Sequence, residues 1–118
     1  MKSLPLLCLP LLLAACEKLP PADPALAVRA SDGEAFAQQS CGSCHAVGRT
    51  GISSNSVAPP FPVIVNQEGV SAETLSTWLR GAHNYPREMD FALGEGEVDK
   101  LIAYMLTLRD PNFKRPPD

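Results

Sequence analysis

The pattern of apolar and polar positions divides the chain unevenly. Its clearest element lies near the C-terminus. Val98, Leu101, Ile102, Met105 and Leu106 recur at i, i+3, i+4, i+7 and i+8, one face of a helix from about Glu95 to Arg109. Acids open that segment, Arg109 closes it and Pro111 follows, in agreement with the helix dipole and a C-terminal stop. A second helix is predicted from Ala72 to about Gly81, capped by Ser71, with Leu75, Trp78 and Leu79 on one face. A third begins at Ser31, where Ser31 and Glu34 spell a capping box, and runs through Ala35, Phe36, Gln38 and Gln39 into Cys41. Between Gly48 and Gly69 no helical period exists, and "APPFP" at 58–62 is expected to lie outside any helix or central strand. Parallel β patterns are absent, so the expected class is all-α: about three main helices joined by long loops.

The N-terminus reads differently. Lys2 is followed by Leu4, Leu6, Leu7, Leu9, Leu11, Leu12 and Leu13, the shape of a secretory leader. The run is too short to span a membrane, and Pro5 and Pro10 interrupt it. It ends in Leu13-Ala14-Ala15-Cys16, which resembles the lipobox of bacterial lipoproteins. That resemblance implies cleavage after residue 15 and a lipid on Cys16. Residues 17–30 then form a tether in which Pro20, Pro21 and Pro24 favour an extended chain. A dozen such residues reach roughly 35–40 Å. The expected layout is a leader at 1–15, the lipidated cysteine and tether at 16–30, a domain at 31–110 and a loose tail at 111–118.

Ten Lys and Arg against thirteen Asp and Glu leave a net charge of −3. Loss of Lys2 with the leader makes the mature chain more acidic by one charge. No basic block is present, which excludes nucleic acid as a partner on electrostatic grounds. A mildly acidic surface suits a basic docking patch on another protein.

Of four cysteines, Cys8 lies in the leader and Cys16 at the lipid position, leaving Cys41 and Cys44 with His45 directly after them. A closed zinc site needs four Cys or His ligands, and no second pair completes one. A thioredoxin-like dithiol needs a strand before the pair, where this sequence reads as helix. A plain disulfide suits an exported chain but leaves His45 unexplained. Covalent haem attachment uses all three residues: two thiols add to the porphyrin vinyl groups, and the imidazole of His45 ligates the iron. In the loop that follows, Phe61, Val63, Ile64 and Val65 supply apolar groups to lie against a haem.

With those pieces in order, residues 31–110 resemble a class I monohaem cytochrome c. The resemblance rests on Gly33 and Phe36 before Cys41-Gly42-Ser43-Cys44-His45, then "APPF", "WLRGAHNYPREM" and "EVDKLIAYMLTLR". It implies one covalently bound haem c and a crossing of the first and last helices, with Gly33 and Phe36 against Leu101 and Tyr104. It further implies that the backbone carbonyl of Pro59 orients the His45 ring. Met89 stands where the family places its distal methionine, and His/Met ligation raises the potential relative to two imidazoles. His83, Met105 and the lysines, such as Lys100, are the rival sixth ligands. The usual proline after that methionine is replaced by Asp90, which is expected to loosen the loop, favour the oxidised iron and lower the potential. Trp78 and Arg80 have suitable donors for a haem propionate; their plain reading is a core indole and a solvated cation.

The functional expectation is a non-enzymatic single-electron carrier, tethered by lipid to the periplasmic side of a bacterial membrane. Its expected partners are a respiratory complex or a periplasmic dehydrogenase. No acid–base set, nucleophile or phosphate loop accompanies the haem motif. The alternative is a haem-based ligand sensor or weak peroxidase with an open or displaceable distal ligand; a third reading is the cytochrome subunit of a larger oxidoreductase, with the same electron-transfer chemistry.

Overall fold

The computed structural model describes residues 23–81 and 87–116. The leader, Cys16, residues 17–22 of the tether and His83 lie outside the described residues. The fold is all-α: α1 (Pro24–Ser40), α2 (Phe61–Val65), α3 (Ala72–Gly81) and α4 (Glu95–Thr107), with a 3₁₀ turn over Arg87–Met89. No strand occurs among the described residues.

The first helix starts earlier than the sequence reading has it. Asp23 caps α1, its Oδ1 accepting from the Ala25 backbone N–H at 3.0 Å, and Pro24 takes the first helical position. A proline costs nothing there, because its missing N–H has no helical partner in any case. Ser31 therefore sits in mid-helix and caps nothing, and residues 24–30 are helix, not extended tether.

A similar correction applies at α2. Pro60 precedes the helix and Pro62 lies in its first turn, so "APPFP" leads into a helix where a helix-free stretch was expected. Both prolines fall where no backbone N–H is required. The other two helices agree with their periodicity. Ser71 Oγ accepts from Thr74 N–H at 3.1 Å, while Thr74 Oγ1 accepts from Ser71 N–H at 2.8 Å. Glu97 closes the start of α4 by accepting from Gly94 N–H at 2.8 Å.

One core unites these pieces: Ala37 of α1, Val47, Phe61 and Val65 of the loop and α2, Leu75 and Leu79 of α3, and Val98, Leu101, Ile102, Tyr104 and Met105 of α4. The α1–α4 crossing is the tightest contact. A Cβ on Gly33 would fall on the Lys100 carbonyl oxygen and 2.8 Å from Tyr104 Cβ. Only the lack of a side chain lets the two helices touch. Beside the crossing, the Lys100 ammonium stands 4.5 Å from the centroid of the Phe36 ring. Asn66 ties α2 to the chain after α4, donating to Leu108 O at 3.2 Å and accepting from Asp110 N–H at 2.9 Å. The tail after Asp110 begins as a turn, Phe113 N–H donating to Asp110 O at 3.0 Å.

Candidate functional site

The end of α1 delivers the Cys-x-x-Cys-His segment. Cys41 and Gly42 both donate to Ala37 O, and Cys44 and His45 both donate to Cys41 O, so the chain leaves the helix in one tight turn. Gly42 is required there, since a Cβ would stand 2.5 Å from Gln38 O. The turn makes Cys41, Cys44 and His45 part of one lining.

Residues 53–61 then clamp that turn. Ala46 N–H donates to Ser53 Oγ at 3.0 Å, Ser54 Oγ donates to Ser43 O at 2.5 Å, and Asn55 N–H donates to Cys44 O at 3.2 Å. Phe61 N–H donates to Ala46 O at 2.9 Å. His45 Nδ1 lies 2.7 Å from Pro59 O. A carbonyl only accepts, so Nδ1 carries the proton and Nε2 keeps its lone pair. The Phe61 ring backs the imidazole, with centroids 5.6 Å apart and planes tilted by 54°. Phe61 belongs to the core behind His45 and does not line the cleft; of the four expected apolar contacts only Ile64 does.

The cleft has a volume of about 620 Å³. Besides the two thiols and His45, its lining includes Ile64, Val70, Leu75, Trp78, Met89 and Phe91. Among the described residues no Asp, Glu, Lys or Arg lines it. Burial pushes the Cys41 thiol up to about 11, with the charge of Cys44 adding a smaller push, so Cys41 is a neutral thiol at physiological pH. No cluster of three or more His, Cys, Asp or Glu that could hold a metal ion occurs among the described residues. Both cysteines are free thiols, and helix, not strand, precedes them.

These residues fit a flat, apolar, covalently held group such as a haem. Among the described residues its lining is uncharged, two thiols two residues apart line it, and an imidazole with a free Nε2 and a thioether line it as well. Among the rival ligands, Met105 is 1% exposed in the core and Lys100 is engaged on Phe36.

Two expectations need correction. Arg80 does not line the cleft: it is a cross-link from α3 to α4, donating to Asp99 Oδ1 at 3.2 Å and lying 3.6 Å from Glu95 Oε1. Trp78 of the same helix does line the cleft. Asp90 is exposed and lies outside the lining, and its N–H donates to Arg87 O at 3.1 Å, closing the 3₁₀ turn that ends at Met89. A proline lacks that N–H and disfavours helical backbone in the residue before it. Asp90 therefore belongs to the local geometry and does not simply slacken it.

Ser53, Ser54 and Asn55 had no place in the sequence reading, and Gly42 entered only as a member of the motif. A loop rich in Ser and Asn signals side-chain bonds to backbone, but the carbonyls it reaches are chosen by tertiary structure.

The family model described as Cytochrome C oxidase, cbb3-type, subunit III matches residues 28–105, about two thirds of the chain. Neither the curated proteins nor the solved structures include a match to it.

Proposed function

The chain belongs to the family described as Cytochrome C oxidase, cbb3-type, subunit III, and from that premise we propose that it is a lipid-anchored, periplasm-facing carrier of single electrons. Cys41 and Cys44 would hold a haem c covalently, and His45 and Met89 would ligate its iron. The observation that carries this reading is that both thiols, the imidazole and the thioether line one cleft, uncharged among the described residues.

When bound, the haem supplies one-electron redox chemistry between ferric and ferrous iron. The chain's own residues hold and tune it. Cys41 and Cys44 attach one edge. Pro59 O fixes the His45 tautomer and orients Nε2, which raises its strength as a ligand. Phe61 prevents the ring from tipping backward. Leu75, Ile64 and Val70 keep water from the cleft, and the lack of charged lining raises the cost of the more positive oxidised state. Met89 reaches the cleft from the end of its 3₁₀ turn.

The family description suggests a redox partner in an oxidase complex. A periplasmic dehydrogenase is the second candidate partner. No helix among the described residues is long and apolar enough to cross a membrane. A lipid on Cys16 would provide the attachment, with residues 1–15 removed as a leader. Residues 24–110 form the carrier domain.

An optical spectrum of the haem-loaded protein, oxidised and reduced, with and without carbon monoxide, tests the reading. A low-spin ferrous spectrum indifferent to the gas, with a weak far-red sulfur-to-iron band on oxidation, is expected. Met89→Ala should abolish that band and admit carbon monoxide. Immediate gas binding by the wild type would replace the carrier with the sensor or weak-peroxidase reading.

A further inference from the structure

The first five residues of α1 are Pro24, Ala25, Leu26, Ala27 and Val28, and every one is exposed. Leu26 is 57% and Val28 62% exposed. Positions two apart on a helix point to nearly opposite sides, so these two do not form a stripe. All five side chains are apolar, and an apolar helix surface is ordinarily covered; on one side Pro24, Ala25 and Val28 border a groove shared with Asp32, Asp99 and Lys100. The first charged side chain within the helix is Arg29. On the far side of the molecule, α1 ends at Ser40 and leads directly into the Cys41–His45 turn.

We propose that the exposed tip of α1 rests end-on against the lipid bilayer, with Leu26 and Val28 at the boundary between headgroups and acyl chains. The proposal depends on the reading of Cys16 as the lipidated residue. Chain length argues for this occupant. From Cys16 to Pro24 is eight residues, which span at most roughly 25–30 Å when fully extended. That is shorter than the reach expected of a tether running to residue 30, because residues 24–30 are folded into the helix. The lipid therefore holds this tip, where the described fold begins, within that distance of the membrane. Apolar contact by the tip adds to the attachment that the acyl chains supply. Asp23 and Arg29 flank the apolar tip and stay at the level of the polar headgroups, Arg29 by extending its stem.

The orientation has a functional consequence. The seventeen residues of α1 are about 25 Å long. With its tip on the bilayer, α1 acts as a strut that holds the Cys41–His45 turn about that far above the surface.

The test uses the full-length, haem-loaded lipoprotein in vesicles of phosphatidylcholine and phosphatidylglycerol. Nitroxide labels are placed in turn at Leu26→Cys, Val28→Cys and Thr50→Cys, and their collision with oxygen and with a water-soluble nickel chelate is compared. The mass of the N-terminal peptide reports lipidation independently, and flotation with vesicles reports attachment. The expected result is several-fold protection from nickel at 26 and 28, with exposure at 50. A lipidated, floating protein whose labels at 26 and 28 remain as nickel-accessible as at 50 overturns the docked tip and leaves the anchor standing. An unlipidated peptide overturns both. Because Leu26 and Val28 are exposed, their replacement should leave the haem spectrum and far-ultraviolet circular dichroism unchanged, and Leu26→Ser with Val28→Ser should remove the protection of a label at Ala27→Cys.

Discussion

Gly33 and Lys100 meet backbone to backbone where α1 crosses α4: a methyl group on the glycine would occupy the position of the Lys100 carbonyl oxygen. Neither side can yield cheaply, since both are main chain within helices. Gly33→Ala should lower stability by about 2 kcal/mol or more, the upper part of the overpacking range, despite alanine's better helix propensity of about 1 kcal/mol. In a domain of this size that corresponds to a fall in Tm of roughly 8 °C or more, measured by thermal denaturation of the haem-loaded protein. An unchanged Tm would mean the crossing tolerates separation.

Tyr104 links the same crossing to the loop after His45. Its hydroxyl donates to Val47 O at 2.8 Å in the core. Tyr104→Phe leaves that carbonyl without this donor and should cost about 1–2 kcal/mol in denaturant unfolding.

The same phenol gives a pH dependence. Burial first, and the Glu34 carboxylate second, raise it above its ordinary value of 10, against an opposing pull from Arg49. The folded state thus binds the proton more tightly than the unfolded chain. This contribution to stability is complete below pH 10 and is lost as pH rises through the higher folded value. Wild type should lose stability above pH 10 more steeply than Tyr104→Phe, measured as urea midpoints along an alkaline series.

Cys41 offers a second check before haem attachment. Its folded thiol is pushed up to about 11 from an ordinary 9, chiefly by burial. At pH 8 that reduces the thiolate, and alkylation by iodoacetamide, by about 100-fold relative to the unfolded chain. Mass spectrometry of haem-free protein, alkylated with and without urea, reads the difference at this peptide. Equal rates would show that the haem-free chain does not hold the cleft. The stability tied to this proton is present below pH 9 and lost as pH rises between 9 and about 11.

The 3₁₀ turn before Met89 separates two roles of Asp90. Asp90→Asn keeps the N–H that donates to Arg87 O and should leave the redox potential almost unchanged, because the carboxylate is exposed. Asp90→Pro removes that N–H and should lower the potential and allow carbon monoxide to bind. Redox titration and gas binding measure the two variants. A higher potential in Asp90→Pro would mean that proline stiffens this loop.

Helix types, the Cys-x-x-Cys-His segment and the buried face of α4 were legible because each depends on local spacing. Val98, Leu101, Ile102 and Met105 share a face in any helix, whatever it packs against. The start of α1 was not: Ser31 and Glu34 spell a capping box, yet Asp23 and Pro24 offer an earlier cap that extends the helix by two turns. Two valid local signals competed, and the longer helix also packs against α4. Arg80 misled for a related reason. Its guanidinium suits any acid within reach, and only the packing of α3 on α4 brings Asp99 and Glu95 there.

By itself, then, the amino-acid order determined the helical class and the chemistry of the cysteine–histidine motif, while Met89 and Pro59 came from the family resemblance. Covalent neighbours and helical periods need no distant partner to be read. Tertiary structure alone decided that Ser53, Ser54 and Asn55 clamp the turn and that Gly33 admits the Lys100 backbone. Each of these joins residues far apart in the chain through a backbone group, and backbone groups are the same in every residue until folding selects which of them meet.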